Sequence, residues 1–272
     1  MPGIAMSTPG ARDIRTVAQT PSARCAIPFL HRRLTWTLLL LAASSACRLE
    51  SQDPPAQAHV LFIGNSLTYF NALPDLMVEV ARSAGDSSLS AAMVALPSYA
   101  ILDHWDEGSA LRELRTKRWT HVVLQQGPSS QEEGAAWLNE GMRRFAPVVR
   151  AAGAEPVLYM VWPQRSRAED FPGVLEHYRD AAALVHGIFA PAGDAWRAAL
   201  AADSTAPLYG PDGFHPSREG SYLAAVVLLA RLRGLDPLRL PASIPGSSLA
   251  EPQVRALQRA AALALERNPA RP

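Results

Sequence analysis

Apolar positions along this chain follow two rhythms. Short, nearly unbroken apolar runs alternate with longer stretches in which apolar residues recur every three or four positions. The short runs predict strands over residues 59–63, 91–96, 121–125, 155–161 and 187–191. The longer stretches predict helices over 74–84, 106–117, 133–151, 174–186 and 221–232. Pro74 suits a first helical turn, and Gly85 and Gly153 suit helix ends. An Ala- and Arg-rich tail, 247–266, carries helical periodicity and is expected to pack rather than to act.

Strands that are apolar throughout belong to a parallel sheet covered on both faces. In such sheets ligands bind beyond the carboxyl ends of the strands. Three polar clusters stand directly after predicted strands: Gly64-Asn65-Ser66, Gln125-Gln126-Gly127 and Trp162-Pro163. The pattern therefore sends all three to one rim.

The first residues read differently. A basic patch, His31-Arg32-Arg33, precedes an apolar run of about a dozen residues from Leu34 and then small residues ending at Cys47. That layout is that of a secretory signal, and the run falls short of the ~20 residues a membrane-spanning helix needs. Ser44-x-Ala46 suits cleavage by a signal peptidase. Cys47 would then be a site for a lipid anchor, although Ser44 stands where lipoprotein signals usually carry Leu. The expectation is an exported protein, periplasmic, extracellular or lipid-anchored. Residues 1–46 form its leader and signal, 47–57 a polar tether, and 58–272 a single domain.

Composition narrows the partners. Lys plus Arg number 26 against 25 Asp plus Glu, so nothing in the charge calls for nucleic acid. The two cysteines, Cys25 and Cys47, cannot both survive cleavage, and no cysteine cluster for a metal exists. No metal or other cofactor is expected, and no oligomeric state is encoded in any visible pattern. The chain has no Gly-x-Ser-x-Gly elbow, phosphate loop, dinucleotide fingerprint or zinc helix.

The stretch 208–225, LYGPDGFHPSREGSYLAA, holds the second half of the chemistry. Gly213 permits a tight turn, Pro216 extends the backbone at His215, and Ser217 can cap a following helix. Asp212 can then reach one imidazole nitrogen of His215 and leave the other as a base. A serine hydroxyl needs such a base and donors for the oxyanion. Ser66, at a strand-to-helix turn, offers the hydroxyl and a backbone N–H. The other histidines, 59, 104, 121, 177 and 186, read as surface or core groups.

FIGNSLT and DGFHPS resemble the first and last blocks of the SGNH (GDSL-type) hydrolases, with a likeness running from about Ala58 to Leu235. PAGDAW and the helix beginning GSYLAA are similar to the family's late segments. The resemblance implies a flavodoxin-like three-layer α/β/α sandwich with a central parallel sheet of about five strands. It also implies ester hydrolysis by Ser66, His215 and Asp212 without metal.

Two blocks depart from the family. The second, ALPSYAILDHW, lacks the usual glycine, and Ser98 stands as the equivalent backbone donor. The third reads QQGPSS rather than Gly-x-Asn-Asp, so that Ser129, Gln125 or Gln126 would supply the remaining donor, beside Asn65. Trp162, with Tyr99 and Trp105, would either line the pocket or pack in the core. The expected substrate is a small-molecule or polysaccharide ester. The competing expectation is a non-catalytic envelope protein binding glycans or lipids on the same fold.

Overall fold

The computed structural model describes residues 56–272. The leader, the signal, Cys25, Cys47 and nearly all of the tether lie outside the described residues.

Five strands, β1 (Ala58–Gly64), β2 (Leu89–Ala95), β3 (His121–Leu124), β4 (Glu155–Tyr159) and β5 (Ile188–Ala190), form one parallel sheet in the order β2-β1-β3-β4-β5. Register runs Val60 beside His121 and Val123 beside Val157. The three central strands bury nearly every side chain on both faces, which their unbroken apolar runs demand. The free side of β5 is closed by the tail, where Phe189 N–H donates to the Ala270 carbonyl at 2.7 Å.

The helices are α1 (Ser66–Tyr69), α2 (Leu73–Ser83), α3 (Ile101–Glu107), α4 (Ser109–Glu113), α5 (Glu132–Ala151), α6 (Phe171–Leu184), α7 (Ala192–Ala202), α8 (Arg218–Arg233) and α9 (Glu251–Arg267). One layer packs α3, α5 and α6 side by side; the other packs α2, α8, α7 and α9. The result is the expected three-layer α/β/α sandwich.

Local departures have local causes. The stretch expected as one helix over 106–117 is two, because Gly108 takes φ 83° between α3 and α4. Helix α7 escapes periodicity because its opening, Ala192 to Trp196, is buried on every side and shows no polar face. Helix α8 is buried on every side from Gly220 to Leu229, with partly exposed charged ends, so it shows little amphipathic contrast.

Strand order reverses at β1, whose successor β2 lies to one side and β3 to the other. The crevice beyond the carboxyl end of β1 is the place where such sheets hold ligands, and Ser66 stands there.

Candidate active site

Gly64 ends β1 in a crowded corner. A Cβ there would lie 2.5 Å from both Gln125 Oε1 and Thr68 Oγ1, so only glycine fits. Asn65 follows as the cap of α1, its Oδ1 accepting the Leu67 N–H at 3.1 Å. Ser66 is thereby the first residue of a short helix, partly exposed, with a backbone N–H that meets no partner among the described residues.

The His215 loop is built as a closed turn. Gly210 N–H donates to the His215 carbonyl at 2.7 Å, Gly213 N–H to Gly210 O at 3.1 Å, and Arg165 N–H to Gly213 O at 2.8 Å. Gly213 takes φ 69°, which a side chain would strain. Asp212 Oδ1 accepts the N–H groups of Phe214 and His215 at 3.0 and 2.9 Å. Ser217 caps α8 through Gly220 N–H at 3.0 Å, as its position before the helix predicts.

This turn leaves the second Asp212 oxygen, Oδ2, 2.5 Å from His215 Nδ1. His215 Nε2 lies 2.9 Å from Ser66 Oγ, across 149 residues of chain. The hydrogen bond from His215, with that from Phe214 N–H, holds the Asp212 carboxyl down at about 2, so it is ionised at any physiological pH. The three side chains expected to meet do meet, in the order hydroxyl, imidazole, carboxylate.

Beneath them, buried aromatics brace the loop. Trp162 is fully buried, stacks on Trp196 at 3.5 Å and donates its indole N–H to the Phe214 carbonyl at 3.1 Å. Tyr209 donates to Pro163 O at 2.9 Å. Trp162 is therefore a core support and not a pocket wall. Trp105 likewise packs edge-on against Phe145, while Tyr99 does reach the cleft.

The amide candidates are redistributed. Gln125 is fully buried: its Oε1 accepts from Asn65 N–H and Thr68 Oγ1, and its Nε2 donates to Asn65 Oδ1 and the Gln126 carbonyl. Gln126 Nε2 donates to Ser129 Oγ at 2.8 Å and to Gly134 O at 3.2 Å. The Ser129 hydroxyl donates to Gly127 O at 2.9 Å. Neither glutamine has an amide proton left for an oxyanion, because a carboxamide carries two; Gln125 lies beneath the rim, while Gln126 lines the cleft beside Ser66 with both amide protons already donated. Asn65 Nδ2 bonds only Tyr99 O, at 3.0 Å, and keeps one proton uncommitted beside Ser66.

Ser98, with Ser66, Asn65 and Ser129, lines a cleft of about 380 Å³. Ser98 N–H has no partner among the described residues. Ser98 and Ser129 both hold left-handed backbone, φ 62° and 53°, a conformation uncommon for non-glycine residues. On the other side of His215 opens a larger cleft of about 1090 Å³, lined among others by Asn71, Gln164, Arg165 and Tyr209. The Arg165 guanidinium lies 5.0 Å over the Tyr209 ring and makes no ion pair among the described residues. Sequence reasoning missed these four; for Gln164 and Arg165 the signal available was polar character in the loop after β4.

His104 is buried, its Nε2 2.8 Å from the Gly64 carbonyl and its Nδ1 without a partner. Burial pushes its pKa below the ordinary value, so the ring is neutral and Nε2–H is the donor. Among the described residues no three His, Cys, Asp or Glu side chains are grouped to hold a metal ion.

No protein-family model and no curated protein matches the chain. Solved structures do. A candidate SGNH hydrolase from Slackia heliotrinireducens is 27% identical, with a TM-score of 0.55 over 63% of this chain and 97% of that one. The chain is similar to SGNH hydrolases. Two further structures share its fold at lower identity. A DUF4886 family protein from Bacteroides uniformis is 16% identical at a TM-score of 0.62, covering 77% of this chain and 95% of its own. The lipase/acylhydrolase from Enterococcus faecalis is 14% identical at 0.51, covering 69% and 99%. In this chain the QQGPSS segment holds the rim together from inside through Gln125 and Gln126.

Proposed function

We propose that the protein is an exported serine ester hydrolase that works through an acyl-enzyme on Ser66. One observation carries the reading: His215 Nε2 sits 2.9 Å from Ser66 Oγ while Nδ1 sits 2.5 Å from the Asp212 carboxylate. In this mechanism Ser66 Oγ attacks the ester carbonyl as His215 takes its proton. The oxyanion is met by the N–H groups of Ser66 and Ser98 and by the second Nδ2 proton of Asn65. His215 returns the proton to the leaving alcohol, and water, activated by the same imidazole, releases the acid. Asp212 stays ionised throughout and steadies the imidazolium.

The unequal clefts bear on the substrate. The oxyanion donors line the smaller one, which suits a short acyl group. The larger one, on the His215 side where an alcohol leaves, carries amide, guanidinium and hydroxyl groups beside the apolar Phe70, Pro211 and Pro216. A polar, hydroxyl-rich alcohol such as a sugar fits that lining. Export is read from the leader pattern alone, and Cys47 is its proposed anchor site.

The test is turnover of short-chain nitrophenyl esters and of acetylated sugars by the wild type and by Ser66→Ala. The variant should fold normally and lose several orders of magnitude in kcat. Equal turnover by the two proteins would refute the mechanism. The internal commitment of both glutamines favours one rival, a glycan- or lipid-binding protein with no turnover. Saturable sugar or lipid binding by a wild type that hydrolyses none of these esters would establish it.

A further inference from the structure

The imidazole of His215 is held by more than its two nitrogens. Phe70 lies flat on one face, with ring centroids 4.0 Å apart and planes 12° from parallel. Phe214 meets it from another direction at 5.3 Å and 64°. Phe70 follows α1 directly, and its N–H donates to the Ser66 carbonyl. One short segment therefore carries both the nucleophile and the plane against which the base rests.

Phe70 reaches that place through an unusual backbone. Asn71 and Ala72 stand consecutively in the left-handed region, at φ 55° and 49°. Asn tolerates that region; Ala does so poorly. A turn of this kind persists only where its surroundings fix it. Here the fixing group is visible. Asn71 Nδ2 lies 2.9 Å from each of three oxygens, Pro216 O, Ser217 O and Ser221 Oγ. All three belong to the segment that follows His215 and opens α8. The amide has two protons for three acceptors, so at least one is shared.

We propose that Phe70 is a positioning residue for His215, and that the Asn71 side chain is the clamp that holds it there. Asn71 ties the nucleophile segment to the base segment, and the ring it places stops the imidazole from turning about its Cβ–Cγ bond. Rotation would break the Ser66 and Asp212 contacts together, because both depend on one ring orientation. A flat aromatic face also favours the imidazolium that forms during attack, through its negative π surface. The kinetic consequence of this clamp rests on the hydrolase reading above; its geometric consequence does not.

The experiment uses the full chain and three variants, Phe70→Leu, Phe70→Tyr and Asn71→Gly, the last because glycine accepts positive φ and leaves the backbone unstrained. Two quantities are read in each: the rate of Ser66 labelling by a small fluorophosphonate, and the 15N–1H correlation of the His215 imidazole. Melting temperature is recorded as a check on folding. Phe70→Tyr should match the wild type in both. Phe70→Leu should label about three- to tenfold more slowly, the range expected for one aromatic pair. Asn71→Gly should slow labelling about ten- to a hundredfold, as misplacement of a reacting group does. Both should broaden or shift the imidazole correlation without unfolding. Labelling and imidazole signals unchanged in Phe70→Leu and Asn71→Gly would overturn the proposal, as would a Tyr variant as impaired as the Leu one. Should the wild type not label at all, the hydrolase reading fails, and the imidazole signals alone decide on the clamp.

Discussion

The carboxamide of Gln125 closes on Asn65 from two sides: its Oε1 accepts the Asn65 N–H at 2.9 Å and its Nε2 donates to Asn65 Oδ1 at 3.0 Å. Both residues are buried, and Thr68 completes the set through its hydroxyl at 2.8 Å from Gln125 Oε1. The QQGPSS segment thus acts on the nucleophile turn from below. Gln125→Leu leaves the Asn65 N–H and the Thr68 hydroxyl buried without partners, each loss of about 1–3 kcal/mol. Denaturant melts should show a drop of about 2–4 kcal/mol in that variant. Stability within 0.5 kcal/mol of wild type, about the scatter of neutral surface changes, would contradict this role.

Gly64→Ala probes the same corner by overfilling it. The new methyl would meet Gln125 Oε1 and Thr68 Oγ1 at 2.5 Å, well inside van der Waals contact. Overpacking of this kind destabilises by about 1–3 kcal/mol. Ester turnover should fall with it, because the displaced Gln125 no longer fixes Asn65. A variant with wild-type melting and turnover would show that the corner yields freely.

Trp162 separates support from recognition. It stacks on Trp196 and anchors the Phe214 carbonyl from within the core. Trp162→Ala should destabilise by about 3–5 kcal/mol. Trp162→Phe keeps a stacking ring while losing the indole N–H, so it should lower kcat modestly and leave KM nearly unchanged. A KM rise confined to bulky sugar esters, with stability intact, would instead place this side chain against substrate.

The fold was legible because its strands are short, continuous and apolar, from 59–63 to 187–191, and alternate with helical stretches, as a covered parallel sheet demands. Ser66, Asp212 and His215 were legible because glycine and proline around them announce turns. The fate of the amides was not. Whether Gln125 points up into a cleft or down beneath Asn65 depends on where β1 and β3 lie relative to each other, which no local pattern encodes. Trp162 was open for the same reason, since its stacking partner Trp196 belongs to a helix that small buried residues had hidden. Phe70 and Asn71 meet their partners about 145 positions away.

The buried His104 sets a pH dependence of stability. Burial lowers its pKa below 6.5 in the folded chain. On acidification the unfolded chain therefore takes up the proton first, so this contribution is full above about pH 6.5 and is lost as pH falls toward the folded value. His121, lowered by burial in the same direction, adds to the slope. His104→Gln preserves a donor toward Gly64 O without a titrating group. Its urea midpoint should fall less than that of the wild type between pH 7 and pH 5. Parallel slopes for the two proteins would contradict the assignment.

Asp212→Asn keeps the shape of the turn and removes the charge opposite Nδ1. Its kcat on a nitrophenyl ester should drop by about 10³–10⁴, with melting temperature little changed because the side chain is half exposed. A drop of less than about tenfold would mean that His215 is oriented without it.

The most direct test of the central claim is to map where a fluorophosphonate attaches. Intact-mass and peptide analysis of the wild type should show a single adduct on Ser66, and His215→Ala, folded to the same melting temperature, should show none. An adduct on another serine, or equal labelling of Ser66 with and without the imidazole, would contradict the account.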